Sequence, residues 1–319
     1  MILKKTVLLA IVLFQMILVF HLLLKVKNLL NIQTYEVNDQ YITRISKQEV
    51  SIATNSSNFK NYYELIPGST VKFNPDWLGV QAIHTVNADG LHDRFDYEFE
   101  KERDTFRIIT VGDSFTYGSY IDTKDNYTEL LENKLRNEKP CKNFSKYEVI
   151  NTGMHGFDVE FTIERLLTKG LTYKPDLVIW LLHAWNLDRV NEITIGLQEK
   201  KQYDSYDKLK NDTYSVLKEK YNTDIMSYQK KVLDRLSNSY KGKLLIVTFK
   251  DFREDEKALE LVKYLLDKNP GYAFFDSLLE YWQDDSIRLP DDHPNKKGHI
   301  KIAEKLYEYL MSNLKYVCS

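Results

Sequence analysis

The stretch FRIITVGDSFTYG, Phe106–Gly118, decides how this chain is read. Its first half, FRIITV (106–111), is a short apolar run, which suits a central strand of a parallel sheet buried on both faces. Its second half, VGDSFTYG (111–118), puts Ser114 where that strand gives way to a loop. A serine at such a junction shows its hydroxyl at the open edge of the sheet, where α/β folds keep their sites. Gly112 permits a tight turn there and Gly118 lets the loop bend away. Thr116 stands where a G-x-S-x-G elbow needs its last glycine, which argues against the α/β-hydrolase arrangement. A serine alone is a poor nucleophile and needs a base within hydrogen-bond reach.

Four further apolar runs follow: YEVI (147–150), DLVIWLL (176–182), KLLIVTF (243–249) and YAFF (272–275). Helical spacing separates them at Asn126–Arg136, Val159–Lys169 and Ala258–Leu266, and recurs at Ile300–Leu314. This alternation predicts an α/β fold of three layers with a central parallel sheet of about five strands. Residues 190–240 interrupt it with a highly charged segment in which Tyr214, Leu217, Tyr221, Ile225 and Tyr228 keep helical spacing. That insertion reads as a solvated helical excursion; the sharper alternative is a lid, because it follows a strand end that carries a site motif. Upstream, residues 28–104 have no strong periodicity and read as a stalk or irregular collar, with turns at Asn74–Trp77 and Asn87–Gly90. The domain proper is expected over 105–319.

Thr6–Leu24 is almost wholly apolar, broken by Gln15 and His21, and as a helix would rise about 28 Å, close to a bilayer core. No small-x-small cleavage site follows it, so residues 1–27 are expected to form an uncleaved single-pass membrane anchor. Lys4, Lys5 and the terminal amine against Lys25 and Lys27 favour, slightly, an extracytoplasmic main domain. A formal net charge of −2 and no basic stripe exclude nucleic acid as an expected partner. There is no zinc-like Cys/His spacing, no G-x-G-x-x-G and no G-x-x-x-x-G-K-[ST] loop, so neither metal nor organic cofactor is implied. A bridge between Cys141 and Cys318 is conceivable, but two free thiols are the favoured reading.

Three more segments carry chemistry. INTGMHGF (Ile150–Phe157) follows the second strand, and its Asn151–Gly153 turn can aim backbone N–H groups at a ligand. LLHAWNLD (Leu181–Asp188) ends the third strand and offers the Asn186 amide to a developing oxyanion. LPDDHPNKKGH (Leu289–His299) precedes the last helix, with Asn295 as its N-cap. His293 in that loop is the candidate base. It needs a carboxylate to hold its tautomer; Asp291 fits, and Asp292 competes on spacing alone. His155 and His183 read as plain loop residues.

In order, from NADGLHD through RIITVGDSFTYG, EVINTGMHGF and YKPDLVIWLLHAWN to DDHPNKKGH, the chain resembles the SGNH/GDSL hydrolase superfamily, in a bacterial-type branch that often carries an N-terminal membrane segment. The resemblance runs from about Asn87 to Leu314. It implies a flavodoxin-like parallel sheet between helices. It further implies a triad of Ser114, Asp291 and His293, and an oxyanion hole from the amides of Ser114 and Gly153 and the Asn186 side chain. The third block departs from the family's G-x-N-D: Ala184 replaces the glycine, Leu187 follows Asn186, and Asp188 comes one residue late. His92 stands where an Arg often follows the NADG stretch, and Trp185 with His183 would crowd the mouth. The implied activity is hydrolysis of carboxylic esters, of small molecules or of surface glycans or lipids, through an acyl-serine. The alternatives are an O-acyltransferase on glycans with the same site, or a non-catalytic polysaccharide-binding scaffold.

Overall fold

In the main sheet successive side chains serve opposite faces, as a strand period of two requires. Ile109 and Val111, Val178 and Trp180, and Leu244 and Ile246 enter one apolar core, while Phe106 and Ile108, Leu177 and Ile179, and Leu245 and Val247 enter another. Runs apolar at every position are therefore what a sheet covered on both sides needs. The computed structural model describes Gln15 and residues 32–34, 59–73, 76–79 and 81–318.

Three short strands, β1 (Ile32–Thr34), β2 (Thr70–Phe73) and β3 (Ala82–Thr85), form a small mixed sheet in that order. The main sheet comprises β4 (Thr105–Gly112), β5 (Lys146–Asn151), β6 (Leu177–Leu181), β7 (Leu244–Val247) and β8 (Tyr272–Phe275). Its order is β5-β4-β6-β7-β8, and every pairing is parallel. The short helix α1 (Ser114–Tyr117) leaves β4 directly, and α2 (Tyr127–Glu138), α3 (Val159–Thr168) and α4 (Ala184–Leu187) follow. Then come α5 (Asn191–Gln198), α6 (Tyr206–Tyr221), α7 (Ile225–Ser239), α8 (Glu256–Leu266), α9 (Lys296–Ser312) and α10 (Leu314–Val317). Helices α3, α7 and α8 cover one face through Ile163, Leu236 and Leu261; α2 and α9 cover the other through Leu131 and Leu306. All five expected strands and the α/β layering are present. The chain moves from one side of β4 to the other between β5 and β6, so Ser114 stands at the point where an open parallel sheet forms its crevice.

The insertion is smaller than its sequence suggests. The helical spacing over Tyr214–Tyr228 belongs to two helices, broken at Asn222, which adopts φ 48°. Helix α7 is the ordinary crossover from β6 to β7 and fills the core with Val232, Leu233 and Leu236. Only α5 and α6 are extra, joined through Val190, Ile193 and Leu217.

The described part of the 28–104 segment packs against α1, α3 and the loop after β5. Tyr62, Tyr63, Leu65 and Val86 are buried against Tyr117, Met154, Phe157 and Phe161. Asn87 forms the expected turn: its Oδ1 accepts from the N–H groups of Asp89 and Leu91, and its Nδ2 donates to the Phe95 carbonyl. Buried Arg165 ties this segment to the loop after β5, donating to the carbonyls of Gly90 and Thr152 and pairing with Glu64 at 3.2 Å. Of the turn expected at Asn74–Trp77, Asn74 and Pro75 lie outside the described residues.

Two further expectations have different outcomes. The cysteines are paired: Cys141 and Cys318 form a disulfide with Cα atoms 5.5 Å apart. This corrects the reading of free thiols. Helices α2 and α9 pack side by side on one sheet face, and that brings the segments after them together across 177 residues of sequence. The anchor expected over Thr6–Leu24 lies, apart from Gln15, outside the described residues. Among the described residues no helix is long and apolar enough to cross a membrane.

Candidate active site

Strand β4 ends in a turn that only glycine fits. Gly112 has φ 153°, and a Cβ there would stand 2.4 Å from Thr116 Oγ1 and 2.8 Å from the Leu181 carbonyl. Asp113 then caps α1, its Oδ1 accepting from the Phe115 N–H at 3.0 Å. Ser114 is the first residue of α1, where a backbone N–H has no acceptor within its own helix.

The loop before α9 meets this serine. Asn295 caps α9 by accepting from the Gly298 N–H, as expected, and Asp292 turns the chain with φ 69°. The Leu289 N–H donates to the His293 carbonyl at 2.8 Å, and Tyr281 Oη donates to the Asp292 carbonyl at 2.8 Å. So braced, His293 places Nε2 2.8 Å from Ser114 Oγ and Nδ1 2.8 Å from Asp291 Oδ2. A carboxylate only accepts, so Nδ1 carries the proton and Nε2 presents its lone pair to the Ser114 hydroxyl. The competing carboxylate, Asp292, faces Arg288 instead. Residues 291–293 and 114, remote in sequence, thus form one continuous chain of hydrogen bonds.

Gly153 and Asn186 are also at this site, in different circumstances. A Cβ on Gly153 would meet the Tyr117 N–H nitrogen at 2.5 Å and Thr116 Cγ2 at 2.6 Å, so the β5 loop abuts α1 as closely as glycine allows. The Gly153 N–H donates to Asn151 Oδ1 at 2.9 Å. Asn186 is buried; its Oδ1 accepts from the His183 N–H, and its Nδ2 donates to Asp113 Oδ2 at 3.0 Å and the Phe157 carbonyl at 3.2 Å. Both of its amide hydrogens therefore already have acceptors.

Asp113 lies within VGDSFTYG, where nothing in the local spacing singles it out. In the fold it is the hub of the site. It is buried, and besides Phe115 it accepts from Trp185 Nε1 and Asn186 Nδ2. Burial pushes its carboxyl up, but His183, Asn186, the Phe115 N–H and Arg189 outweigh this and hold it below the usual range. Three histidines lie around α1, against the rings of Phe115 and Tyr117. His183 is buried and stacked on Trp185 at 4.0 Å, so it does not stand at the mouth, and burial pushes its imidazole down to about 4. His155 lies beside His293, ring centroids 5.9 Å apart, with Nδ1 2.7 Å from Ser119 Oγ. Burial, and then the nearby His293, push it down to about 4. His92, in the place expected for an Arg, is buried between the Tyr117 carbonyl and Thr123 Oγ1. Among the described residues no group of His, Cys, Asp and Glu side chains is arranged to hold a metal.

No family model matches the chain, and no curated protein matches it in sequence. Solved structures that are similar to it include TesA, at 16% identity and a TM-score of 0.42, over 64% of this chain and 97% of that one. The psychrotrophic esterase EstA from Pseudoalteromonas sp. matches at 17% identity and a TM-score of 0.43, over 66% and 98% respectively. A family 3 carbohydrate esterase from Clostridium thermocellum matches at 15% identity and a TM-score of 0.41, over 67% and 100%.

Proposed function

We propose that this chain is a serine-dependent carboxylic ester hydrolase of the SGNH/GDSL type, with residues 105–319 as its catalytic domain. The observation that carries the reading is the relay from Ser114 Oγ through His293 to Asp291, with both links at 2.8 Å. His293 Nε2 takes the Ser114 proton as Oγ attacks the ester carbonyl, and Asp291 steadies the imidazolium that forms. His293 then returns the proton to the departing alcohol, and water attacks the acyl-serine by the same route in reverse. The developing oxyanion is met by the Ser114 N–H, with the Gly153 N–H and Asn186 Nδ2 as the remaining donors. For those two to join, the oxyanion has to share them with Asn151 Oδ1 and with Asp113 and Phe157. Each such donor contributes about 3 kcal/mol in hydrolases of this kind.

The disulfide supports an oxidising compartment for the folded domain. It agrees with the proposed arrangement of an anchor over residues 1–27, a collar over 28–104 and an extracytoplasmic catalytic domain. Esters on surface glycans or lipids suit an enzyme so placed.

The test compares wild type with Ser114→Ala on 4-nitrophenyl acetate, with a serine-directed phosphonate as covalent probe. Serine-dependent turnover and one phosphonate adduct, lost on Ser114→Ala with the circular-dichroism spectrum unchanged, support the reading. Equal rates in both proteins and no adduct sink it.

A further inference from the structure

The segment after β6 carries a cation that the relay does not use. Arg189 lies two residues beyond α4, and its backbone is fixed: Gln229 Nε2 donates to the carbonyls of Arg189 and Leu187 at 3.1 and 3.0 Å. Its side chain is half-buried. Among the described residues the guanidinium has no ion-pair partner; Nε donates to Tyr206 Oη at 3.4 Å, and Cζ lies 5.7 Å from the Tyr206 ring centroid. The neighbouring cation Lys210 is paired, with Asp188.

The chain on either side of Arg189 is tied to the site: Asn186 Nδ2 donates to Asp113 Oδ2 and the Phe157 carbonyl, and Asn191 donates from its backbone N–H to Asp158 Oδ2 and from Nδ2 to the Gly156 carbonyl. The charge of Arg189 acts on Asp113, His155, Asp158 and His183. Asp113 adjoins Ser114, and His155 lies against His293. The two nearby carboxylates are engaged elsewhere: Asp113 with Phe115, Trp185 and Asn186, and Asp158 with the N–H groups of Phe161 and Asn191. A guanidinium has five N–H donors in a planar fork, suited to a carboxylate or phosphate. Here only one of them has an acceptor among the described residues.

We propose that Arg189 receives an anionic group of the substrate, so that the site selects esters bearing a carboxylate or phosphate near the scissile bond. This rests on the ester-hydrolase reading above. It assigns the substrate class to a side chain on the segment after β6, with Tyr206 of α6 steadying the guanidinium. The α5–α6 excursion then contributes to selectivity through that tyrosine.

The test uses matched esters. On the alcohol side, 4-acetoxybenzoate is compared with methyl 4-acetoxybenzoate; on the acyl side, 4-nitrophenyl hydrogen succinate is compared with its methyl ester. In wild type the anionic member of one pair is favoured, and Arg189→Met lowers the anionic-to-neutral ratio of kcat/KM about tenfold. Arg189→Lys keeps part of the preference. A merely structural role lowers both members alike and leaves the ratio unchanged. Replacing 4-acetoxybenzoate by 4-acetoxyphenyl phosphate distinguishes a carboxylate site from a phosphate site. Calorimetry on Ser114→Ala gives a readout independent of turnover: 4-acetoxybenzoate or its phosphate analogue binds, and adding Arg189→Met weakens it about tenfold. That result upholds the anion site even if no ester is hydrolysed and the hydrolase reading fails. Unchanged ratios in both pairs, or no loss of anion affinity in the double variant, overturn it.

Discussion

Gly153→Ala tests whether the close approach of the β5 loop to α1 is what positions Ser114. The new methyl carbon would stand 2.5 Å from the Tyr117 backbone nitrogen and 2.7 Å from the Thr116 carbonyl carbon, and backbone cannot rotate out of the way. Restoring ordinary contact requires about 0.9 Å of relative movement between the loop and α1, and a misplacement near 1 Å costs reacting groups about 100-fold in rate. The strain of overpacking should lower stability by about 1–3 kcal/mol. Alanine keeps the backbone N–H, so the substitution alters position without removing a donor. The assay is kcat/KM on 4-nitrophenyl acetate, with urea unfolding on the same preparations. A variant within about threefold of wild type, at unchanged unfolding midpoint, would refute the reasoning, since a shift of that size in Ser114 could not leave the relay intact.

Asp291→Asn should lower kcat by about 10³–10⁴, because an amide no longer enforces the Nδ1–H tautomer of His293. Asp292→Asn, which disturbs an exposed pair with Arg288, should stay within about threefold in the same assay. Cys141→Ser should cost about 2–5 kcal/mol in urea unfolding under oxidising conditions, and dithiothreitol should reproduce the loss in wild type. Burial lifts the Glu132 carboxyl to about 7, above its ordinary 4.5, although the Val149 N–H and Arg136 oppose this. The folded state therefore keeps a proton that the unfolded chain releases. This contribution is complete below pH 4.5 and is lost as pH rises through about 7. Glu132→Gln should accordingly gain at least about 1 kcal/mol relative to wild type between pH 5 and pH 8. Equal pH slopes in denaturant titrations would count against it.

Strands were the most legible part of the sequence. A parallel sheet buried on both faces needs unbroken apolar runs, and FRIITV or DLVIWLL could hardly serve otherwise. The relay residues were legible as well, because serine after a strand and histidine before a helix each sit at an element boundary. Helix α7 was obscured: it merged with α6 into one charged pattern, since the break at Asn222 leaves no proline or glycine to mark it. Asp113 and Arg189 were invisible for a different cause. What distinguishes them is their surroundings, burial for one and, among the described residues, the lack of a carboxylate partner for the other, and neither is encoded in local spacing. The disulfide likewise depended on two helices of one layer meeting, a fact of topology rather than composition.

The bond between Cys141 and Cys318 closes a covalent ring. That ring contains Asp291 and His293, with Gly153, Asn186 and the whole α5–α6 excursion, while Ser114 hangs on the arm that enters it. A protease that nicks the exposed stretch between α5 and α6 would therefore sever the chain without separating its parts. The nicked molecule would run as one species until reduced, and only then release two fragments. Cleavage between Ser114 and Cys141 would instead leave serine and histidine on separate molecules, joined by nothing but packing.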